Sequence, residues 1–171
     1  MSAPRVLFSE DEIGVAVALM ASDLARLSDP PEIVSPILVG AFVFAADLLR
    51  AFSREGLDLP LEYMWLRSYG AGREGGEMRV LAAPGDAVTG KHVLLIDGVL
   101  DHGHTLITAR DLLTKAGARM ITTAVVVDKA REAAPIRADH ACFTGVADFI
   151  VGYGMDDAGH ARGLPYIGVV E

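Results

Sequence analysis

The sequence predicts an α/β fold, a mainly parallel twisted sheet flanked by helices. Short apolar segments rich in Val, Ile and Leu alternate with helical segments, an order typical of a parallel sheet with helices on both faces. Hydrophobic residues make up 51% of the 171-residue chain and aromatic residues only 6%, as expected for buried aliphatic strands. This length suits one sizeable core, so we expect residues 1–171 to form a single domain.

The first helix is predicted directly after Ser9. Glu12 follows Ser9 at the spacing of a capping box. Apolar residues then recur at helical spacing until Asp29-Pro30-Pro31 ends the run. These apolar positions are Ile13, Val17, Met20, Leu24 and Leu27.

Two strands and a helix follow, leading into a glycine-rich segment. EIVSPILV (32–39) is predicted as a strand, FVFAADLLRAFSREG (42–56) as a helix and LPLEYMWLRSYG (59–70) as the next strand. The glycines after that strand predict a mobile hairpin tip or lid. They are Gly70, Gly72, Gly75 and Gly76.

The rest of the chain continues the alternation of strands and helices. A turn is predicted around Gly85-Asp86 and a helix over TLITARDLLTKAG (105–117). The predicted strands are MRVLAA (78–83), HVLLID (92–97), ITTAVVVDK (121–129), DFIVGYG (148–154) and PYIGVV (165–170).

The composition excludes several kinds of partner. A formal charge of −8 and a pI near 5.0 oppose binding to nucleic-acid phosphates. No segment approaches the roughly 18 apolar residues of a membrane span, and the amino terminus does not read as a signal peptide. The single cysteine, Cys142, favours a reducing compartment. We therefore expect a soluble cytoplasmic protein that binds neither nucleic acid nor membrane.

The segment LLIDGVLDHGHTL has the form of a phosphate-binding turn between a strand and a helix. Ligands of open parallel sheets bind beyond the carboxyl ends of the strands, where helix-opening amides attract phosphate. The amides of Gly103 to Thr105 would point at an anion, and Asp97 and Asp101 border the same cleft. In a purely structural alternative, Asp101 caps the helix and Thr105 lies in its first turn.

Three rival motifs fit this segment less well. A haloacid-dehalogenase-type phosphatase needs a nucleophilic aspartate where this chain has Leu95. A dinucleotide-binding fold needs a three-glycine turn followed by a distant acid, and that pattern is absent. His102 and His104 have no third metal ligand at a suitable spacing, so phosphate contact or solvent exposure is favoured for them.

Five ordered blocks, covering nearly the whole chain, resemble the purine phosphoribosyltransferases of the hypoxanthine-guanine type. The family's phosphoribosyl-pyrophosphate motif, two acids followed by Asp-Thr-Gly-x-Thr, is similar to IDGVLDHGHTL. Its Leu-Lys-Gly loop corresponds to the segment with Val39 and Gly40, its mobile-loop Ser-Tyr to Ser68-Tyr69, and its purine-binding lysine to Lys129. The tail DFIVGYGMDDAGHARGLPYIGVV is similar to the family's Phe-Val-Val-Gly-Tyr-Gly-Leu-Asp-Tyr block.

The resemblance implies a type I phosphoribosyltransferase fold with a small hood formed from the chain ends. It implies a purine salvage enzyme in which a 6-oxopurine, hypoxanthine or guanine, displaces pyrophosphate from 5-phosphoribosyl 1-pyrophosphate (PRPP). The products are a nucleoside monophosphate and pyrophosphate, and the cofactor is Mg²⁺. A homodimer or homotetramer is also implied.

The resemblance assigns roles around the purine base. Asp101 would act as general base or hydrogen-bond acceptor toward purine N7. Lys129 would donate to O6 and so select oxopurines over adenine. Phe149 would stack on the base, and Ile150 would offer backbone groups to its edge. Taken alone, the strand around Phe149 favours ordinary core packing for this ring.

The remaining roles concern the phosphates, the ribose, the metal and the lid. The turn through His102, Gly103, His104 and Thr105 would hold the 5-phosphate, and Val39 and Gly40 would lie beside pyrophosphate. Asp97 would serve the ribose and Mg²⁺, Asp156 the second Mg²⁺ and Arg162 the pyrophosphate. Asp156 and Arg162 could otherwise be surface charges, as isolated Asp and Arg residues usually are. Ser68 and Tyr69 would close over the reacting centre and exclude water.

Two positions depart from the family pattern. Gly98 replaces the second acid of the pair that begins with Asp97, and Val39 replaces the lysine beside pyrophosphate. His102 also replaces a threonine of the phosphate turn. Two hypotheses follow from these differences, an active phosphoribosyltransferase with an altered sugar site, which we favour, and a weak or inactive relative that binds a nucleotide or PRPP as a regulator.

Overall fold

The larger of two sheets in the computed structural model has six strands, five of them parallel. The model describes residues 3–69 and 77–170. The strands are β2 Ile33–Leu38, β3 Met64–Tyr69, β4 Glu77–Ala82, β5 His92–Leu100, β6 Met120–Asp128 and β7 His140–Thr144. They lie in the order β4-β3-β2-β5-β6-β7, with only β4 antiparallel to its neighbour. The predicted mainly parallel sheet is confirmed.

The chain ends form a second, three-stranded antiparallel sheet. Its strands are β1 Arg5–Phe8, β8 Ile150–Val151 and β9 Ile167–Val169, in the order β1-β9-β8. The ring of Phe8 stacks on that of Phe143, with centroids 3.8 Å apart, so this sheet packs against the β7 edge of the larger one. The hood expected from the chain ends corresponds to this sheet.

The three α-helices of the described residues begin close to the predicted positions. They are α1 Glu10–Ala25, α2 Phe42–Arg54 and α3 His104–Lys115. The capping box is present, because Ser9 Oγ accepts from Glu12 N and a Glu12 carboxylate oxygen accepts from Ser9 N. Leu27, predicted as a helical position, lies beyond α1, because the chain turns at Arg26.

Helices cover both faces of the six-stranded sheet. Alternate residues of β5 point to opposite faces, so Leu94 and Ile96 pack with α1 and α2 whereas Val93 and Leu95 pack with α3. All four β5 side chains are fully buried. This arrangement fixes the carboxyl end of β5 and the start of α3 at one edge of the sheet.

Two strands of the structure are missing from the sequence prediction, and one predicted strand is much shorter than expected. β1 and β7 were not predicted, because their residues are only partly buried and lack a strong apolar alternation. DFIVGYG contributes only Ile150–Val151 to a strand, since the chain after it turns at glycines with positive φ. None of the described helices has the length and apolar character needed to cross a membrane.

Candidate active site

A cleft of about 460 Å³ lies beyond the carboxyl ends of β2, β5 and β6. Every predicted site residue whose side chain the structure describes lines this cleft. These residues are Val39, Gly40, Asp97, Asp101, His102, Gly103, His104, Thr105, Lys129, Phe149, Ile150, Asp156 and Arg162. Residues separated by more than a hundred positions therefore meet at the edge where open α/β sheets bind ligands.

The turn between β5 and α3 forms the floor of the cleft. Gly103 precedes α3 with a φ of 84°, and no side chain caps the helix. The alternative in which Asp101 caps α3 is therefore wrong. The first amides of a helix lack partners within it, so those that follow Gly103 are available to an anion.

Asp101 lies between the cationic side chains of Lys129 and Arg131 and the imidazole of His102. Lys129 Nζ lies 3.1 Å from Asp101 Oδ2, and Arg131 Nε hydrogen-bonds Asp101 Oδ1. Arg131 Nη2 lies 3.4 Å from Oδ2, and His102 Nδ1 lies 3.4 Å from Oδ1. Burial raises the pKa of Asp101, but Arg131 and Lys129 outweigh it and lower the pKa below its ordinary value. Asp101 is thus a carboxylate at neutral pH.

Asp97 has the opposite electrostatic environment. Burial raises its pKa to about 7, although the Gly98 amide, which donates to Asp97 Oδ1 over 2.7 Å, works in the other direction. Asp97 and Asp101 thus line one cleft with pKa values shifted in opposite directions.

Phe149 and Lys129 belong to different segments of the chain but line the same cleft. The Phe149 side chain is 38% exposed, so the alternative of ordinary core packing is wrong for this ring. Lys129 is buried at the end of β6, with only 8% exposure. A partly exposed aromatic ring and a buried ammonium in one cleft suit a flat heterocycle with a carbonyl oxygen.

Asp156 and Arg162 form an ion pair at the wall of the cleft. Arg162 Nη2 lies 2.7 Å from Asp156 Oδ1, and Arg162 Nη1 donates to Gly154 O over 2.7 Å. Gly159 N donates to the other Asp156 oxygen over 2.6 Å. Both side chains are 29% exposed and paired with each other, so neither is an isolated charge.

The Val39–Gly40 turn packs tightly against two other glycines. A Cβ added at Gly98 would lie 3.1 Å from Gly40 O, and one added at Gly154 would lie 2.4 Å from the same oxygen. The side chain of Val39 is 40% exposed in the cleft. Gly98, which has no Cβ, therefore lets the Gly40 carbonyl approach β5 closely.

The predicted lid lies only partly within the described structure. Ser68 and Tyr69 end β3, and their backbone pairs with β4. Their side chains and residues 70–76 are outside the described residues. Arg67 and Met78, which the sequence analysis did not single out, bring this hairpin to the cleft.

Comparison with known proteins identifies the family. Residues 9–158 match the phosphoribosyl transferase domain family. The hypoxanthine-guanine phosphoribosyltransferase of Aquifex aeolicus is 33% identical over 98% of this chain and 94% of its own length. The chain belongs to the purine phosphoribosyltransferase family. The corresponding enzyme of Streptococcus pneumoniae is 31% identical over 98% of this chain and 93% of its own length.

Solved structures of this family share the fold. The hypoxanthine phosphoribosyltransferase of Staphylococcus aureus has a TM-score of 0.87 and 29% identity, covering 98% of this chain and 91% of its own. That of Trypanosoma cruzi has a TM-score of 0.85 and 27% identity, covering 99% and 97%. The predicted family and fold class are confirmed, and these relatives support purine salvage over the regulatory alternative.

Arg131 is the main site residue that the sequence analysis missed. It follows Lys129 by two positions in VVVDKAR, and the motif gave no reason to prefer it over Arg137, six residues later. Met155 was also missed, although its side chain lines the cleft and contacts the position of Gly98. Both belong to loops whose path depends on distant contacts.

Proposed function

We propose that this protein transfers the phosphoribosyl group of PRPP to a 6-oxopurine such as hypoxanthine or guanine. The observation that carries the proposal is that Asp101, Lys129 and Phe149 line the same cleft as the turn from Gly103 to Thr105. Those groups match the base, its carbonyl and the 5-phosphate of a nucleotide. The family relationship supports the same reaction class.

The base would lie against Phe149, with its O6 facing Lys129. A protonated lysine donates hydrogen bonds and accepts none. An exocyclic amino group at the same position would place donor against donor, which disfavours adenine. Stacking on an aromatic ring contributes about 1–3 kcal/mol per base.

Asp101 would receive the proton that the purine loses. In the reaction, purine N9 bonds to ribose C1 while the bond from C1 to pyrophosphate breaks, and the proton on N7 passes toward a carboxylate. The lowered pKa of Asp101 keeps that carboxylate ionised and ready to accept. Lys129, whose Nζ lies 3.1 Å from Asp101 Oδ2, would hold the base at the same time.

The residues of the cleft fit the Mg²⁺ implied by the family. Mg²⁺ prefers oxygen ligands and is commonly held by one or two carboxylates, water and substrate phosphates. Asp97 and Asp156 provide such carboxylates in one cleft, whereas residues 3–69 and 77–170 contain no cluster of three or more His, Cys, Asp or Glu side chains able to form an all-protein cage. When bound, the ion would neutralise the charge of the departing pyrophosphate.

Three further assignments complete the proposal. Arg162, held by Asp156 and Gly154, would bind pyrophosphate oxygens with its planar guanidinium. Ser68 and Tyr69 would close over the reacting centre and limit hydrolysis of the activated sugar. We also propose a cytoplasmic homodimer or homotetramer as the working form.

A specific observation supports the second candidate, a weak or inactive nucleotide-binding relative. Gly98 removes a carboxylate beside the ribose, and Val39 removes a cation beside pyrophosphate. Restoring the acid by Gly98→Asp would bring a Cβ to 3.1 Å from Gly40 O, so the Val39–Gly40 turn would have to shift by a few tenths of an ångström. Gly98 is therefore part of the close packing between β5 and the Val39–Gly40 turn.

The two candidates are separated by a turnover assay. The protein is incubated with PRPP, Mg²⁺ and each of hypoxanthine, guanine, xanthine and adenine, and nucleotide formation is followed by chromatography. We expect nucleotide from at least one oxopurine and none from adenine. An Asp101→Asn variant purified in parallel controls for contaminating host enzyme. Nucleotide binding by calorimetry without turnover would establish the second candidate instead.

A further inference from the structure

The loop between β6 and β7, residues 129–139, is held by hydrogen bonds at both ends. Asp128 is buried, and its Oδ1 accepts from Ala130 N over 2.7 Å. Arg137 Nη2 donates to Ala130 O over 3.0 Å. At the far end, Asp139 Oδ2 accepts from Thr123 N over 2.8 Å. These hydrogen bonds hold the backbone in place at the two ends of the loop.

The same loop also packs on the phosphate turn. A Cβ added at Gly103 would lie 2.7 Å from Ile136 Cγ2 and 3.5 Å from Pro135 Cδ. The loop thus lies directly against the start of α3. Arg131, near its beginning, reaches back to Asp101 at the end of β5.

Arg131 binds Asp101 with two nitrogens of its guanidinium. Nε bonds one carboxylate oxygen, and Nη2 lies 3.4 Å from the other. A carboxylate accepts about four hydrogen bonds; Arg131 takes two and Lys129 one. About one acceptor site remains for a purine N–H.

We infer that Arg131 is a positioning residue that holds the Asp101 carboxylate in the orientation needed to accept the purine N7 proton. This inference rests on the proposed function. An arginine suits the task because its planar fork fixes both oxygens of a carboxylate, which a single ammonium cannot do. Lys129, buried beneath the carboxylate, is then free to orient its remaining donors toward the base.

Among residues 3–69 and 77–170, the charged side chains paired with Asp101 are Lys129 and Arg131 on the β6–β7 side, and the titratable imidazole of His102 faces it from the β5–α3 turn. Loss of Arg131 removes one cation and both bonds that fix the carboxylate plane. Lys129 and His102 remain in every variant of Arg131.

The test compares Arg131→Gln and Arg131→Lys with the wild type. We expect kcat with hypoxanthine to fall roughly ten- to a hundredfold in Arg131→Gln and less in Arg131→Lys. The KM for PRPP should stay within about twofold, because Arg131 contacts the base acceptor rather than the phosphate turn. The acidic limb of the kcat/KM profile should move to higher pH. Glu132→Gln, an exposed neighbour in the same loop, is the control and should match the wild type.

A second readout does not depend on turnover. Carboxyl ¹³C NMR of the ligand-free protein, with the Asp101 signal assigned from Asp101→Asn, should show a higher Asp101 pKa in Arg131→Gln than in the wild type. If the wild type makes no nucleotide while this titration shifts, the proposed function fails but the Arg131–Asp101 contact stands. An unchanged titration or an unchanged pH profile in both Arg131 variants would overturn the inference.

Discussion

The two ends of the six-stranded sheet carry the same kinds of charged residue in different surroundings. At the carboxyl end, Asp101 is only partly exposed and Lys129 is buried, and the cleft walls enclose both. At the amino end, Arg119 binds Asp29 and Glu32 on an open surface, with about half of the arginine side chain exposed.

Burial determines what each group of charges can do. Exposed ion pairs are screened by water and contribute little to stability, so the amino-end network serves mainly to keep the surface polar. Partly buried charges act more strongly on one another and on a ligand, because the effective dielectric constant is lower. We therefore expect substitutions at the carboxyl end to abolish function and those at the amino end to be nearly silent.

The largest expected effect is that of Asp101→Asn. An amide cannot accept the purine proton, and it leaves Lys129 and Arg131 without their anion. We expect kcat to fall by roughly 10²–10⁴, measured with hypoxanthine and saturating PRPP. Asp111→Asn, on the exposed face of α3, is the matched control. A kcat within about threefold of the wild type would remove Asp101 from the mechanism.

A smaller effect, on the free energy of unfolding, is expected from alanine substitutions at two glycines of the tail. Gly154 and Gly159 both have positive φ, 95° and 88°, but a Cβ at Gly154 would lie 2.4 Å from Gly40 O whereas one at Gly159 would meet nothing within 4 Å. Gly154→Ala should therefore lower the free energy of unfolding by about 2–4 kcal/mol and Gly159→Ala by about 1 kcal/mol. Urea denaturation measures both. Equal losses would show that the Gly40 contact does not constrain the cleft wall.

The smallest effect is expected from Arg119→Gln at the amino end. The backbone amide of His92, with Lys91 and Arg119, lowers the pKa of Glu32 to about 2. Because the folded pKa is depressed, this contribution to stability is present above about pH 4.5 and is lost as the pH falls toward 2. Thermal melts should show a slightly lower unfolding midpoint for the variant than for the wild type at pH 7. The difference between the two midpoints should shrink below pH 4.5. Turnover should stay within about twofold; a large loss of activity would contradict the comparison.

The same contrast explains what the sequence could predict. β5 and the helices packed on its two faces were predictable because most of their apolar residues are buried and recur at a regular period. β1 and β7 were missed because they lie at sheet edges and are only partly buried. The turn at Gly103–Thr105, with Asp97 and Asp101 beside it, was indicated by the local strand–turn–helix pattern. The other candidate site residues were found by resemblance to family motifs, since their roles depend on neighbours far apart in sequence.

Two features of the cleft lay beyond sequence reasoning. The ion pair of Arg131 with Asp101 depends on a loop path that local contacts of Asp128 and Arg137 set. The approach of Gly40 O to Gly98 depends on three segments meeting at one point. Composition and spacing describe one segment at a time, so they contain no signal for either contact.

The most direct measurement is a crystal structure of the protein with inosine monophosphate and Mg²⁺. We expect the 5-phosphate to bind the amides of Gly103 to Thr105 and the hypoxanthine ring to lie against Phe149. Its O6 should lie within hydrogen-bond distance of Lys129 Nζ, and its N7 should face Asp101. A nucleotide bound outside this cleft, or a base turned away from Lys129 and Asp101, would contradict it.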